Sequence, residues 1–167
     1  HGPQQQFGNY GLSFICNMSF YSELFTGTTL AFSQEQQRIL TSLLLEGYQW
    51  IIWRGYWDVN ALNRQLFRNA DIDKGFSLLF AAHSLMKSSE PEVADQIKKM
   101  ILRNSSFSQV PNSFTGNKHF RESDYTVHRT PTWLASVRMA SERVIGTELV
   151  NEDNLKGYYM ADGALYT

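Results

Sequence analysis

The hydrophobic pattern of this chain changes period once, and that change restricts the fold more than any other feature. Over the first two thirds, apolar residues recur three and four apart. After a Ser-, Asn- and Pro-rich stretch at 105–116 they alternate. A period near 3.6 buries one stripe of a helix, and a period of two buries one face of a strand. Helices followed by strands imply α+β organisation in more than one domain, not an alternating α/β fold. The expected division is a helical unit over 1–104, a linker over 105–116 and a β unit over 117–167. No internal repeat is evident.

Residues from about Leu12 to Phe25 are apolar, and Gly27-Thr28-Thr29 break the run. Ser33 followed by Gln36 has the spacing of a capping box. The helix it opens carries Ile39, Leu40, Leu43, Leu44, Tyr48 and Ile51, and should end by Gly55. A third helix, near Lys74 to Lys87, is expected to bury Phe76, Leu79, Phe80 and His83. A fourth starts at Pro91, a residue suited to a first turn, and should bury Val93, Ile97 and Ile101. Short connections between these helices predict stacked antiparallel hairpins. Past the linker, Thr132 to Ala140 reads as a half-buried strand. Trp133, Ala135, Val137 and Met139 lie on one side, Thr132, Ser136 and Arg138 on the other. Val144-Ile145 and Leu149-Val150 read as further strand, and Asp162-Gly163 as a turn between short strands near Tyr158 and Leu165.

The bulk numbers narrow the function classes. Fifteen basic and 16 acidic residues give a net charge of -1, which gives no support to a nucleic-acid surface. An anionic partner would have to be met by locally gathered charge. No apolar run has the length of a membrane span, so no membrane partner is expected. The single cysteine, Cys16, lies among apolar residues and is expected to be a small buried hydrophobe. The chain opens His1-Gly2-Pro3 without Met or signal peptide, and is expected to have been cut from something longer.

Few residues suggest chemistry. His1 and Tyr10 flank Gly2, Gly8 and Gly11, which permit a tight loop that could set an imidazole beside a phenol. Arg64 and Arg68 would share a face if their segment were helical, and such a pair could hold a carboxylate. Taken alone, the pair reads more readily as a solvated basic surface. Trp50, Trp53, Tyr56 and Trp57 could stack on sugar rings, although helix packing is the commoner use of such residues. Glu148 and Asn151 sit at the end of a predicted strand. His83 reads as a core histidine. His119 and His128 lack zinc spacing, and no metal site is expected.

Four of these segments, in this order, resemble polysaccharide lyase family 8, which contains hyaluronate, chondroitin and xanthan lyases. His1 to Gly11 resembles the family's His...Tyr-Gly loop, and Asn63-Arg64 to Arg68 resembles its two-arginine segment. His128-Arg129, Ser136 to Arg143, Glu148 to Asn154 and Lys156 to Gly163 resemble the opening of its central β domain. The resemblance implies the end of an α/α toroid of helical hairpins followed by the start of an antiparallel β-sandwich, with the substrate cleft between them. It implies β-elimination on glycans containing uronic acid, such as chondroitin and hyaluronan. The C5 proton is removed, the C4–O bond breaks, and a 4,5-unsaturated sugar remains.

By the same resemblance Tyr10 is the general base and then the acid to the leaving oxygen. His1 helps to bind the carboxylate. Arg64 and Arg68 hold substrate and favour the phenolate, while Glu148 and Asn151 orient these groups. Trp53 and Trp57 are expected to contact substrate. The family's carboxylate-neutralising Asn comes from a stretch absent here, so this piece alone is expected to be inactive. No cofactor is expected, and calcium is the one metal the resemblance leaves open. A monomeric parent, extracellular or periplasmic, acting on an acidic polysaccharide, is implied. The alternatives are a non-catalytic carbohydrate-binding fragment or degenerate relative, and a packing module with no site.

Overall fold

A computed structural model gives the fold and describes residues 4–105, 112–145, 147–148, 152 and 155–166. Four α-helices come first: α1 Leu12–Phe25, α2 Gln34–Ser42, α3 Ala70–Lys87 and α4 Pro91–Asn104. The predicted cap of α2 forms completely. The Ser33 hydroxyl accepts from the Gln36 amide at 3.3 Å, and the Gln36 side chain accepts from the Ser33 amide at 2.9 Å. Two amides that a helix start leaves unpaired are thereby satisfied. Beyond Ser42 the helix widens over Leu43–Gly47 and tightens over Tyr48–Trp50 before it stops. Ile51 therefore falls outside the helix, although it is buried. A two-stranded hairpin follows, β1 Ile52–Trp53 with β2 Tyr56–Trp57, which the helical period did not announce.

α3 packs against both α1 and α4. It buries the opposite stripe from the one expected. Gly75, Leu78, Ala81, Ala82 and Leu85 face inward, whereas Phe76 and Phe80 are 72% and 65% exposed and His83 is exposed as well. Leu79 is half-buried. A helix between two neighbours must let their backbones approach, and small side chains permit that where phenylalanines do not. α4 buries Ile97 and Met100, with Val93 and Ile101 half-buried.

The last third is a four-stranded antiparallel sheet in the order β3-β4-β5-β6: Gly116–Phe120, Tyr125–Arg129, Leu134–Met139 and Asp162–Tyr166. The predicted alternation in β5 is present but its faces are reversed. Leu134, Ser136 and Arg138 are buried, Ala135 and Val137 half-buried, and Trp133 and Met139 exposed. The buried side meets the helical part through hydrogen bonds: the Asn60 carboxamide donates to the Ser136 hydroxyl at 3.0 Å and to its carbonyl at 3.2 Å. Val144 makes only an isolated bridge to Ser141, and Leu149 and Val150 lie outside the described residues. Asp162-Gly163 opens β6 and is not a turn, and Tyr158 belongs to a 3-10 turn, Gly157–Ala161.

Helices and sheet share one core. Tyr125, Val127 and Leu134 join Leu12, Ile15, Leu44, Tyr48, Ile52 and Trp57 in it. Beside the core runs a buried polar junction. Arg129 of β4 donates one Nη1 to the carbonyls of Gln49, Trp50 and Ile52 at 2.8, 3.2 and 2.8 Å. The first two are carbonyls at the end of the α2 extension, where helical partners run out, and the third belongs to β1. The guanidinium lies between the rings of Trp53 and Phe114, at 5.1 and 5.0 Å from their centroids. Burial pushes Arg129 and Arg138 down to about 10. Asp58 caps the turn Val59–Ala61 by accepting from the Asn60 amide at 3.1 Å, and also accepts from the Tyr125 hydroxyl. Burial pushes its carboxyl up.

Candidate active site

Tyr10 stands in the turn Phe7–Gly11, directly before α1. Two glycines let that turn press against its surroundings. A Cβ on Gly8 would lie 2.6 Å from the Ala61 carbonyl oxygen, and one on Gly11 would lie 2.7 Å from the Tyr48 hydroxyl. Asn9, at φ -131 and ψ -107, breaks the helical path and carries the chain into α1. The Tyr10 side chain is left 58% exposed, with its phenol available to solvent.

The arginine segment is not helical. Asn63 adopts a left-handed conformation with φ 57, and its carboxamide donates to the Gln6 side chain at 3.3 Å. The Leu66 amide then returns to the Arg64 carbonyl at 2.9 Å. This tight bend sends the two arginines into different surroundings. Arg64 is buried, and Arg68 is exposed. The helical spacing argument therefore fails, because there is no common helix face for the pair.

Arg64 turns toward Tyr10 and Glu148. Its guanidinium carbon is 5.7 Å from the centroid of the Tyr10 ring, and Nη1 pairs with Glu148 Oε2. The other carboxylate oxygen of Glu148 accepts from Gln4 Nε2 at 3.2 Å. The Tyr10 side chain foremost, and then the charge of Glu148, holds the Arg64 guanidinium above its ordinary value against the opposing effect of burial. Residues separated by more than 130 positions are thus gathered at one point. The cluster offers an exposed phenol, a guanidinium beside it and a carboxylate that fixes the guanidinium. His1 and Asn151 lie outside the described residues.

The tryptophans expected to touch substrate stand elsewhere. Trp57 is 2% exposed with its ring edge against Tyr48, 5.7 Å between centroids, so its face is not offered to a sugar. Trp53 is half-buried under the Arg129 guanidinium. Both line a groove with Tyr56, Asp71 and Trp133 that shares no residue with the Tyr10 cluster. Cys16 is half-buried, its thiol pushed up by burial and bonded to the Ser77 carbonyl at 3.7 Å. Among the described residues no three His, Cys, Asp or Glu side chains gather as a metal site. No described helix is long and apolar enough to cross a membrane.

The sequence did not point to Gln4 or Lys74. Gln4 lies in a run of three glutamines that reads as an ordinary polar loop, and nothing local marks Lys74 as buried.

Comparison with known proteins adds an independent line. Residues 115–167 match the family model described as polysaccharide lyase family 8, super-sandwich domain. A chondroitinase-AC of Pedobacter heparinus is 30% identical over 167 residues, covering 98% of this chain and 23% of its own length. A hyaluronate lyase of Thermasporomyces composti is 24% identical over 190 residues, covering 95% of this chain and 24% of its own. The chain thus spans about a quarter of the length of these curated relatives. Among solved structures, a chondroitinase AC lyase studied with bound oligosaccharides superposes with a TM-score of 0.80 at 26% identity, over 99% of this chain and 24% of its own. A Paenibacillus xanthan lyase superposes at 0.81 and 15% identity, over 96% of this chain and 18% of its own, which shows the shared fold.

Proposed function

The chain belongs to polysaccharide lyase family 8, and from that premise we propose that the whole protein cleaves glycans containing uronic acid by β-elimination, with Tyr10 at the centre of the reaction. The observation that carries this reading is the convergence of Tyr10, Arg64 and Glu148 from three separate segments. Tyr10, as the phenolate, takes the proton from C5 of the uronate and becomes the phenol. The electron pair forms the C4–C5 double bond as the C4–O bond breaks, and the same phenol returns the proton to the departing oxygen. Arg64 sets a positive charge beside the phenol while that proton is away. Glu148, held by Gln4, fixes where the guanidinium lies.

His1 and Asn151 complete the site by family resemblance, the first at the uronate carboxylate and the second as an orienting group. Arg68, exposed beyond the bend, meets the carboxylate or sulfate of a neighbouring sugar. The helices are read as the end of an α/α toroid and the sheet as the start of a sandwich domain, divided at 1–104, 105–116 and 117–167. Chondroitin- or hyaluronan-type polymers in an extracellular or periplasmic setting are the substrates of this reading.

The groove of Trp53, Tyr56 and Trp133 favours a second reading, a carbohydrate-binding module without catalysis. An ultraviolet assay for unsaturated uronate on chondroitin sulfate and hyaluronan separates the two. In the full-length protein, Tyr10→Phe should lower turnover by about 100-fold or more, the scale of a lost general base. Its stability should change by no more than about 0.5 kcal/mol, because the side chain is exposed. Undiminished product from the folded variant removes Tyr10 from the mechanism. Silence from the folded wild type on all uronate polymers favours the binding module.

A further inference from the structure

One buried charge next to the Tyr10 cluster has no part in the mechanism above. Lys74 lies in α3 and is 7% exposed. Its ammonium donates to the carbonyl of Gly8, two residues before Tyr10. It also donates to the Gln65 side chain at 2.6 Å, and Gln65 is the chain neighbour of Arg64. The Phe67 ring flanks it, with its centroid 5.8 Å from the nitrogen. Among the described residues no carboxylate forms an ion pair with it. Asp71 and Asp73 share its helix, Arg64 and Arg68 come from the bend, and Glu148 is already held by Arg64 and Gln4.

A buried ammonium without a counter-charge is costly, and a neutral residue would fill the same helix face at lower cost. Burial accordingly pushes the Lys74 ammonium down. What a neutral aliphatic residue could not do is reach past the helix and hold two separate backbone segments at once. The loop bearing Tyr10 and the bend bearing Arg64 are also joined by the Asn63–Gln6 side-chain bond at 3.3 Å and by the contact of Arg64 with the Tyr10 ring.

We propose that Lys74 is a positioning residue that sets the separation of the Tyr10 phenol from the Arg64 guanidinium, by tying the Gly8 carbonyl and Gln65 together from beneath. This rests on the reading that Tyr10 is the base. A misplacement of about 1 Å in such a site costs on the order of 100-fold in rate, so a tie of this kind acts on turnover more than on binding.

The test uses the full-length protein. Lys74→Met should lower kcat by about 30-fold or more with KM within about threefold, and should speed amide hydrogen exchange at Gly8–Gly11 while the interior of α1 and α4 exchange as before. Gln65→Leu removes one arm of the tie. It should lower kcat by roughly fivefold, and should add nothing in the Lys74→Met background. Unchanged kcat and loop exchange in folded Lys74→Met overturn the proposal. Exchange that rises evenly through the chain also overturns it, because it marks a general loss of stability. If Lys74→Met does not fold, Gln65→Leu decides: normal turnover and normal loop exchange overturn the proposal. Tyr10→Phe measured alongside keeps the two questions apart. An active Tyr10→Phe sinks the base assignment, while loop exchange still reports on the tie.

Discussion

Two charged regions join the helices to the strand-bearing third, and they are built in opposite ways. At the Tyr10 cluster, Arg64 meets a carboxylate, and the side chains of Arg64 and Glu148 keep 8% and 12% of their exposure. At the polar junction, Arg129 meets only carbonyl oxygens, and Arg138 is 0% exposed. An ion pair beside an exposed side chain such as Tyr10 can exchange partners with an incoming anion. A guanidinium enclosed by carbonyls and aromatic rings cannot, and its contribution is to hold two parts of the chain in place. Similar residues thus pair with a carboxylate beside an exposed phenol in one region and seal a junction in the other, and the surroundings make the difference.

Substitution should separate the regions. The largest effect is expected for Arg129→Met, which leaves the carbonyls of Gln49, Trp50 and Ile52 buried without their donor. Denaturant unfolding should show a loss of about 3–5 kcal/mol, the scale of a broken buried network. A loss below about 1 kcal/mol would mean that water replaces the guanidinium and that the junction is not sealed. Glu148→Gln should reverse the balance. It costs roughly 1.5–3 kcal/mol at most, the scale of one hydrogen bond to a charged group, but lowers turnover in the uronate assay by about tenfold or more. Equal loss of stability and unchanged turnover would assign Glu148 to attachment.

Asp58→Asn should act through pH. The folded carboxyl of Asp58 is raised, mainly by burial. Between its unfolded and folded values the unfolded chain has released the proton and the folded chain has kept it. Stability therefore falls as pH rises through that window. Asn can still accept from the Tyr125 hydroxyl, so urea midpoints of the variant, followed from about pH 3.9 upward, should lack the Asp58 part of that decline. Parallel profiles for the two proteins would show that Asp58 does not titrate within the junction. The smallest effect is expected for Phe76→Ser in this chain, within about 0.5 kcal/mol, because the ring is exposed. A loss of about 3–5 kcal/mol, as for a core phenylalanine, would restore the stripe first expected from periodicity.

That stripe shows how far periodicity reaches. It located α1 and the capped start of α2, because an apolar run and a Ser33–Gln36 cap act within a few residues. It missed the hairpin of β1 and β2, whose two-residue strands are too short to show a period. It chose the wrong face of α3 and the wrong face of β5. Phe76 and Phe80 are more apolar than Gly75 and Ala82, yet close approach of neighbouring helices selects small residues. Ser136 and Arg138 are polar, yet Asn60 supplies partners that make their burial affordable.

For the site, the sequence by itself supplied the residue types and the family order, and through them Tyr10, Arg64 and Glu148. Only the tertiary structure decided that Arg64 turns inward while Arg68 stays exposed, that Trp57 packs in the core, and that Lys74 lies beneath the loop. A bend such as Asn63–Leu66 and a tie such as Lys74 to Gly8 depend on contacts between segments far apart in the chain. Local pattern carries the energy of nearby residues, and these positions are fixed by partners that only folding brings together.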